Sequence, residues 1–544
     1  MRKFTPKIPK NKQIYLFPSS EKIDFYLRKN KDLFNKYHFR VFHRPYKLIR
    51  ENCRNKFLQE AIYFSQSHKI NFESNLKPDH HTIIQTGHQP TFFHPGIWIK
   101  NIFLNEILKS PPDNRKIGLN IILDNDHYRE PSFNLPILFD SEFLKLEKIN
   151  FLSKPTNLPF EESSLPSFGQ IKEFNKNVIT KIKSLKNNNI INNFIYFSKC
   201  LEKSRYLCQQ GNDKNNLGEF LGVARRYFEN DINPIYLELP FSKICDSDEF
   251  LSFFWEITQN IDLFSKIYNS KLDAYRKHHK IRNKANPSPD LLIKDKLIEL
   301  PFWVWKKGDI RKKLYILKEE KSLFLYNEIY GKLICFGKNN PKIFSRLKNV
   351  LKQNQIKIRP KALMLTLYNR LFIADLFIHG IGGAKYDMVT DGIIKEFFKV
   401  EPPYFITISA TLLLNLKSFH PSIGLSIPLL KKKLRDFNFN PENFIPNFGL
   451  LGNDKFGVRS LIKRKTELIK IIKVAVAPIE KKEISQEISQ INHAIKEKLL
   501  PLKIELKEKL VMEEKKEKQV EIYNFREFPF CFFSAKELRN LLNL

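Results

Sequence analysis

Thr82-Ile83-Ile84-Gln85-Thr86-Gly87-His88-Gln89-Pro90-Thr91-Phe92-Phe93-His94-Pro95-Gly96 reads as a short buried strand that runs into a loop rich in proline and histidine. The strand is Thr82–Gln85 and the loop is His88–Pro95. From Ile97 to Leu108 apolar residues recur every three or four positions, which predicts an amphipathic helix stopped by Pro111-Pro112. Leu119–Leu123 (Leu-Asn-Ile-Ile-Leu) is a second apolar run, followed at once by Asp124-Asn125-Asp126-His127. Strand, loop, helix and strand in this order form one βαβ unit, so the expected fold class is α/β with a parallel sheet. Polar residues gather just beyond both strands, where open α/β sheets bind their ligands.

Outward from this unit, residues 20–76 read as helical. Residues 140–355 mix helical stretches (Ile171–Lys186, Gly218–Asn230) with short strands, Pro234–Leu239 and Glu299–Trp305, and a hairpin-like stretch, Leu314–Phe336. The later part is expected to be a small β-containing insertion, after which the sheet resumes near Arg359-Pro360 and runs through Thr411. Leu461–Val520 alternates Lys and Glu with Ile and Leu at helical intervals, the pattern of an antiparallel helical hairpin or short coiled coil, with Pro501 in or near the turn. The apolar stripe Ile484, Ile488, Ile491, Ile495 needs a partner surface, either within the hairpin or in a homodimer. These readings divide the chain at 1–140, 141–355, 356–460 and 461–544, within the roughly two to four domains that 544 residues allow.

The chain carries 92 Lys+Arg against 58 Asp+Glu, a formal charge of +34. That excess either attracts polyanions or phosphorylated ligands, or reflects a lineage bias toward Lys, Asn and Ile; the basic residues are spread and form no single block. Nucleic acid is therefore not the leading partner, though the charge leaves it open. The six cysteines include no Cys-x-x-Cys pair, so no zinc site is expected and a reducing compartment fits best. The amino terminus lacks the apolar core of a signal peptide, and no apolar run is long enough to span a membrane, so the expected location is the cytoplasm with no membrane partner.

Three segments carry side chains suited to chemistry. In Thr86–Gly96, Gly87 permits a close backbone approach, and His88, Gln89 and His94 offer donors and proton carriers at a helix start. Asp124–His127 places two carboxylates and an imidazole after a buried strand; they can orient a nucleophile, or simply cap a helix. His379-Gly380-Ile381-Gly382-Gly383-Ala384-Lys385-Tyr386-Asp387-Met388-Val389-Thr390-Asp391 follows the apolar run Leu371–Ile378 and precedes an expected helix at Gly392–Phe398. A glycine-rich turn opening onto a helix can cradle a phosphate, although Gly-x-Gly-Gly is neither a Walker loop nor a dinucleotide fingerprint.

Together and in order, Thr86-Gly-His-Gln-Pro90, Asp124-Asn-Asp-His127, Arg359-Pro360, Gly380-Ile-Gly-Gly-Ala-Lys-Tyr386 and a charged helical segment before the aromatic stretch Tyr523–Phe533 resemble the cysteine-adding enzymes of bacillithiol biosynthesis. The likeness covers roughly residues 80–140 and 355–535 through short motifs. It implies a Rossmann-like core, a connective insertion, a terminal coiled coil, and a ligase that joins cysteine to a small acceptor. The chain departs from that pattern at His88, where the family has Gln, at Asn125 and Tyr128, where carboxylates are replaced, and at Gly383, where the family has Glu.

The expectation is therefore a ligase- or transferase-like enzyme that binds a nucleotide (ADP or ATP) and couples cysteine or another small amine or thiol to a small acceptor, with no metal. The catalytic set is His88, Gln89, His94, Asp126, His127 and His379. The nucleotide set is Gly87, Gly380, Gly382, Gly383, Lys385, Tyr386 and Asp391. The competing readings are a basic nucleic-acid-binding protein and a non-catalytic scaffold.

Overall fold

The computed structural model describes residues 6–72, 81–110, 116–127, 132–139, 143–152, 157–210, 216–319, 322–336, 343–416, 426–447 and 455–542. The chain forms two compact units: Met1–Ile137 with Leu146–Leu414 and Arg526–Leu544, and a smaller one of Leu138–Lys145 with Asn415–Phe525. The smaller unit thus begins well before position 461, and the aromatic tail belongs to the larger one.

The larger unit is built on a six-stranded sheet. Its strands are β1 (Gln13–Phe17), β2 (Thr82–His88), β3 (Lys116–Ile122), β4 (Leu237–Pro240), β5 (Leu376–His379) and β6 (Phe405–Thr411), in the spatial order β1-β6-β5-β2-β3-β4. The pairs β5–β6, β5–β2, β2–β3 and β3–β4 are parallel, and β1 adds to the β6 edge antiparallel. The antiparallel edge strand was not expected from the lysine- and proline-rich amino terminus. The quoted stretch forms the centre of the sheet: Gln85 lies beside Leu119, Gly87 beside Ile121, and Leu376 beside Ile84. Numbered in chain order, the five parallel strands run 3-2-1-4-5 across the sheet. The order reverses between β2 and β5, and a crevice forms at such a point because the connections on either side leave to opposite faces.

Helix Pro95–Lys109 follows β2. Its buried residues occupy nearly every side, from Trp98 and Ile99 to Lys100, Asn101 and Asn105. An all-round buried helix is expected where a crossover is covered by further layers. Gly87 is required by the packing of β2 on β3: a Cβ there would come within 2.9 Å of the Ile121 carbonyl oxygen.

A second, antiparallel sheet has the order Gly331–Phe336, Ser322–Asn327, Lys312–Glu319, Leu297–Lys306, Ile356–Pro360. Ile356–Pro360 was expected to resume the parallel sheet. It pairs instead with Leu297–Lys306, setting Arg359 opposite Trp303. Alternating apolar residues cannot reveal which sheet a five-residue strand joins, because both bury one face. The apolar run before His379 also divides: Asn369–Ile373 is a π-helical turn and only Leu376–His379 is strand.

The smaller unit packs helices Ile427–Phe439, Lys455–Val474, Pro478–Lys498 and Leu500–Tyr523 around Leu430, Phe437, Leu468, Ile491, Ile495 and Leu506. Pro501 lies near a turn between two helices, as expected, just past the break at Leu499 that separates Pro478–Lys498 from Leu500–Tyr523. Pro478 and Pro501 both sit in first helical turns, where a missing N–H is harmless. Lys455–Val474 packs on Pro478–Lys498, and Leu500–Tyr523 packs on Ile427–Phe439. The isoleucine stripe is covered within this unit: Ile484, Ile491 and Ile495 are buried and Ile488 packs against them. Gln519 clasps Leu144 by donating to its carbonyl and accepting from its N–H, each at 2.7 Å. No helix among the described residues is long and apolar enough to cross a membrane.

Candidate functional site

The carboxyl ends of β2 and β5 are neighbours, so the His88 loop and the Gly380 turn emerge on one edge of the sheet. The glycine segment is not a loop before a helix at Gly392. The helix starts at Ile381 and runs to Phe397, with Gly380 as an extended N-cap residue that supplies no side chain. Gly382 and Gly383 therefore lie in its first turn. The N–H groups of Ile381, Gly382 and Gly383 have no acceptor among the described residues, as the first turn of a helix dictates. Gly382 and Gly383 are exposed, and a Cβ on Gly382 would meet nothing within 4 Å.

Lys100 reaches this place from the helix that follows β2. Its Nζ donates to the Gly87 carbonyl at 2.6 Å, and its Cδ lies 4.0 Å from where a Cβ on Gly380 would be. It is only 4% exposed, and no described carboxylate forms an ion pair with it. Burial, reinforced by the nearby Arg225 guanidinium, draws its amine from the ordinary 10.5 down to about 7. Sequence reasoning missed Lys100 because it stands inside an apolar helical stretch, Ile-Trp-Ile-Lys-Asn-Ile-Phe. The signal was the lysine itself, on a helix with no polar face on which to place it.

His379, the last residue of β5, is buried against the Phe377 and Phe405 rings. Its Nε2 lies 2.9 Å from Asp387 Oδ2. Asp387 is also paired with Arg370, whose guanidinium binds Asp391 at 2.7 Å and donates to the Pro403 carbonyl. Burial lowers the pKa of His379, and Asp387 partly offsets this. Burial opposes ionisation of Asp387, yet Arg370 and His379 hold it below the usual carboxylate range. Burial lifts Asp391 to about 6.

His88 bonds through Nδ1 to the Gln89 carbonyl at 3.1 Å and packs edge-on against Phe93. Burial and the Lys100 charge take its pKa to about 3, so it is neutral at ordinary pH. His94 caps the helix that follows it by accepting from the Gly96 N–H at 3.1 Å. Burial and Arg526 bring it to about 4. A proton-carrying role for His94 therefore competes with a structural task for Nδ1.

Gln89 and Asp126 meet, with Gln89 Nε2 donating to Asp126 Oδ2 at 3.0 Å. On the other oxygen Asp126 binds Arg311 at 2.8 Å and accepts from the His127 N–H. Burial alone would raise the Asp126 pKa, but Arg311 and these hydrogen bonds carry it below the ordinary value. Arg311 stands just before the Lys312–Glu319 strand of the second sheet and was not anticipated. His127 bonds through Nδ1 to the Asn157 carbonyl at 2.9 Å. Asn125 donates to the Pro360 carbonyl at 3.2 Å, so the Asp-Asn-Asp-His and Arg-Pro segments touch. Tyr128 lies outside the described residues.

Beside them, Asp124 is fully buried and accepts from the N–H and hydroxyl of Ser242. Burial and Glu161 raise its pKa to about 7. Arg359 binds Glu161 through Nε at 2.9 Å and Asp246 through Nη1 at 2.9 Å. Ser242, Glu161, Asp246 and Arg359, with Lys243 and Lys357, line a cleft of about 860 Å³, beneath which Asp124 is buried.

Not every expected residue joins the edge. Lys385 is one turn into its helix, and its charge is felt by His279, at the far end of helix Ile261–His278. Tyr386 is 39% exposed and its ring lies 6.3 Å from that of Tyr275. The cation that the structure brings to the glycine turn is Lys100. Among the described residues no group of three His, Cys, Asp or Glu side chains is arranged to hold a metal ion. No protein-family model and no curated protein matches this sequence.

Proposed function

We propose that the edge formed by β2 and β5 binds the phosphate of a nucleotide or phosphorylated metabolite, and that the chain is a ligase- or transferase-like enzyme coupling cysteine or another small amine or thiol to a small acceptor. The observation that carries the binding reading is Lys100, a buried amine that has no counter-carboxylate among the described residues and lies beside three helical N–H groups with no acceptor among them. Burying a charge without a partner is costly, and an anion at the helix start would relieve that cost while filling the N–H groups. The 3-2-1-4-5 strand order, with the site at its reversal point, supports a Rossmann-like description of the core.

In this reading Gly380, Gly382 and Gly383 leave the anion room, and Lys100 supplies the charge that the sequence suggested for Lys385. Gln89 and Asp126 orient the incoming nucleophile, and Arg311 keeps Asp126 ionised. The cleft beside Arg359 is large enough for a second small molecule. The kinship with the cysteine-adding enzymes rests on the order of the short motifs, to which the Asn125–Pro360 contact adds a spatial link.

Isothermal titration of the intact protein with ADP, ATP and pyrophosphate tests the binding reading. Heat that saturates with one site per chain in the wild type and is lost in Lys100→Met supports it. Absence of binding by all three, or equal binding by Lys100→Met, removes it. Incubating the protein with cysteine, ATP and candidate acceptors, with mass spectrometry of the products, tests the coupling reaction separately.

A further inference from the structure

We propose that His379 is a proton carrier working through Nδ1, with Asp387 as its positioning residue, and that Gly383 is glycine to keep that nitrogen reachable. This rests on the reading of the β2–β5 edge as an active site. The geometry begins with the carboxylate. Asp387 is fixed by Arg370, so it remains an acceptor, and its contact with His379 Nε2 requires the hydrogen to be on Nε2. In a neutral imidazole the lone pair is then on Nδ1.

Nδ1 has no hydrogen-bond partner among the described residues. It faces the first turn of the helix, where a Cβ on Gly383 would stand 3.1 Å from it. Gly382 and Gly383 are exposed and carry no side chain to cover the ring. A histidine held only for packing would more commonly satisfy its second nitrogen, because buried polar atoms are paired. The charged groups around the ring are Asp387 and Arg370 behind it, Asp391 through Arg370, and Lys100 across the strand ends. Their sum with burial keeps the ring neutral at ordinary pH, the state that accepts a proton.

The step is a proton transfer. The hydrogen of an amine or thiol bound at the helix start moves to Nδ1, its bonding pair stays on the nucleophile, and Asp387 balances the imidazolium. The proton is then returned to the departing group. Asp387 touches His379 and Arg370 behind the ring and not the nucleophile, so it positions the base and takes no part itself.

The test uses the full chain. Wild-type, Gly382→Ala and Gly383→Ala proteins are treated with diethyl pyrocarbonate, and acylation at His379 is followed by peptide mass spectrometry. Wild type and Gly382→Ala should be modified at similar rates, whereas Gly383→Ala should fall to background. In parallel, nitrogen chemical shifts of isotope-labelled histidine should show His379 as the Nε2–H tautomer, with that preference weakened in Asp387→Asn. An unreactive wild-type His379, equal reactivity in both alanine variants, or an Nδ1–H tautomer overturns the proposal. If Gly383→Ala does not fold, the tautomer alone decides. Failure of nucleotides to bind would remove the anion reading and leave these results standing or falling independently.

Discussion

Two buried cations lie close together in the larger unit and are treated in opposite ways. Arg225 binds Glu229 at 2.8 Å and Glu238 at 2.7 Å, and those carboxylates accept in turn from Trp98, Asn101 and Asn120. Every charge there has a partner inside the fold. Lys100 has one carbonyl and, among the described residues, no carboxylate. A network that is complete without ligand is a structural device, while a buried charge left uncompensated at the end of a sheet marks a place where something else completes it.

The comparison can be broken by mutation. The largest effect should come from Arg225→Met, which leaves Glu229 buried without its cation and Glu238 with only Arg226, at 3.9 Å, among the described residues, and should cost about 3–5 kcal/mol in urea denaturation. Lys100→Met should cost nothing or stabilise, since it removes an unpaired charge. Equal losses for both would end the distinction. Next in size, Lys100→Met should weaken pyrophosphate or ADP binding about ten- to a hundredfold by calorimetry, the worth of one charge-assisted contact of roughly 1.5–3 kcal/mol.

The pH dependence sharpens the same point. Lys100 is near 10.5 when unfolded and about 7 when folded, so between these values the unfolded chain holds more protons. Stability attributable to this group should therefore rise from pH 7 to 10.5, and below 7 its penalty is present in full. The melting-temperature gap between Lys100→Met and wild type should narrow across that window; a gap independent of pH would contradict the desolvated amine. The smallest effect is expected for Lys385→Ala. Its charge acts from a turn further along the helix, at a partly exposed position, so ligand affinity should change by less than about fivefold. A larger loss there than for Lys100→Met would restore the sequence-based assignment.

How much was legible depended on whether a feature was local. The strand Thr82–Gln85, the helix Ile97–Leu108 and the strand Leu119–Leu123 could be read, each within about three residues of the observed Thr82–His88, Pro95–Lys109 and Lys116–Ile122, because periodicity and the Pro111-Pro112 stop are local signals. The helix at Ile381 was placed eleven residues too late because three glycines outweighed its pattern, yet glycine in an exposed first turn costs little against the packing of Ala384, Val389 and Ile393. Pro501 was read as lying in or near a turn between two helices, and it sits just past the break at Leu499, because proline at the first helical positions marks such a boundary.

By itself the sequence determined that a strand–loop–helix–strand unit would set His88 at a strand end and Gln89 and Asp126 beyond strand ends, because side-chain alternation and helix breakers act over a few residues. Only the tertiary structure decided their partners. It brought β5 beside β2 across nearly three hundred residues of chain, Arg311 from just before a strand of the second sheet to Asp126, and Lys100 out of an apolar helix to the turn at Gly380. Such pairings follow from which faces must be buried together, and burial is a property of the whole packed unit, which no window of sequence contains.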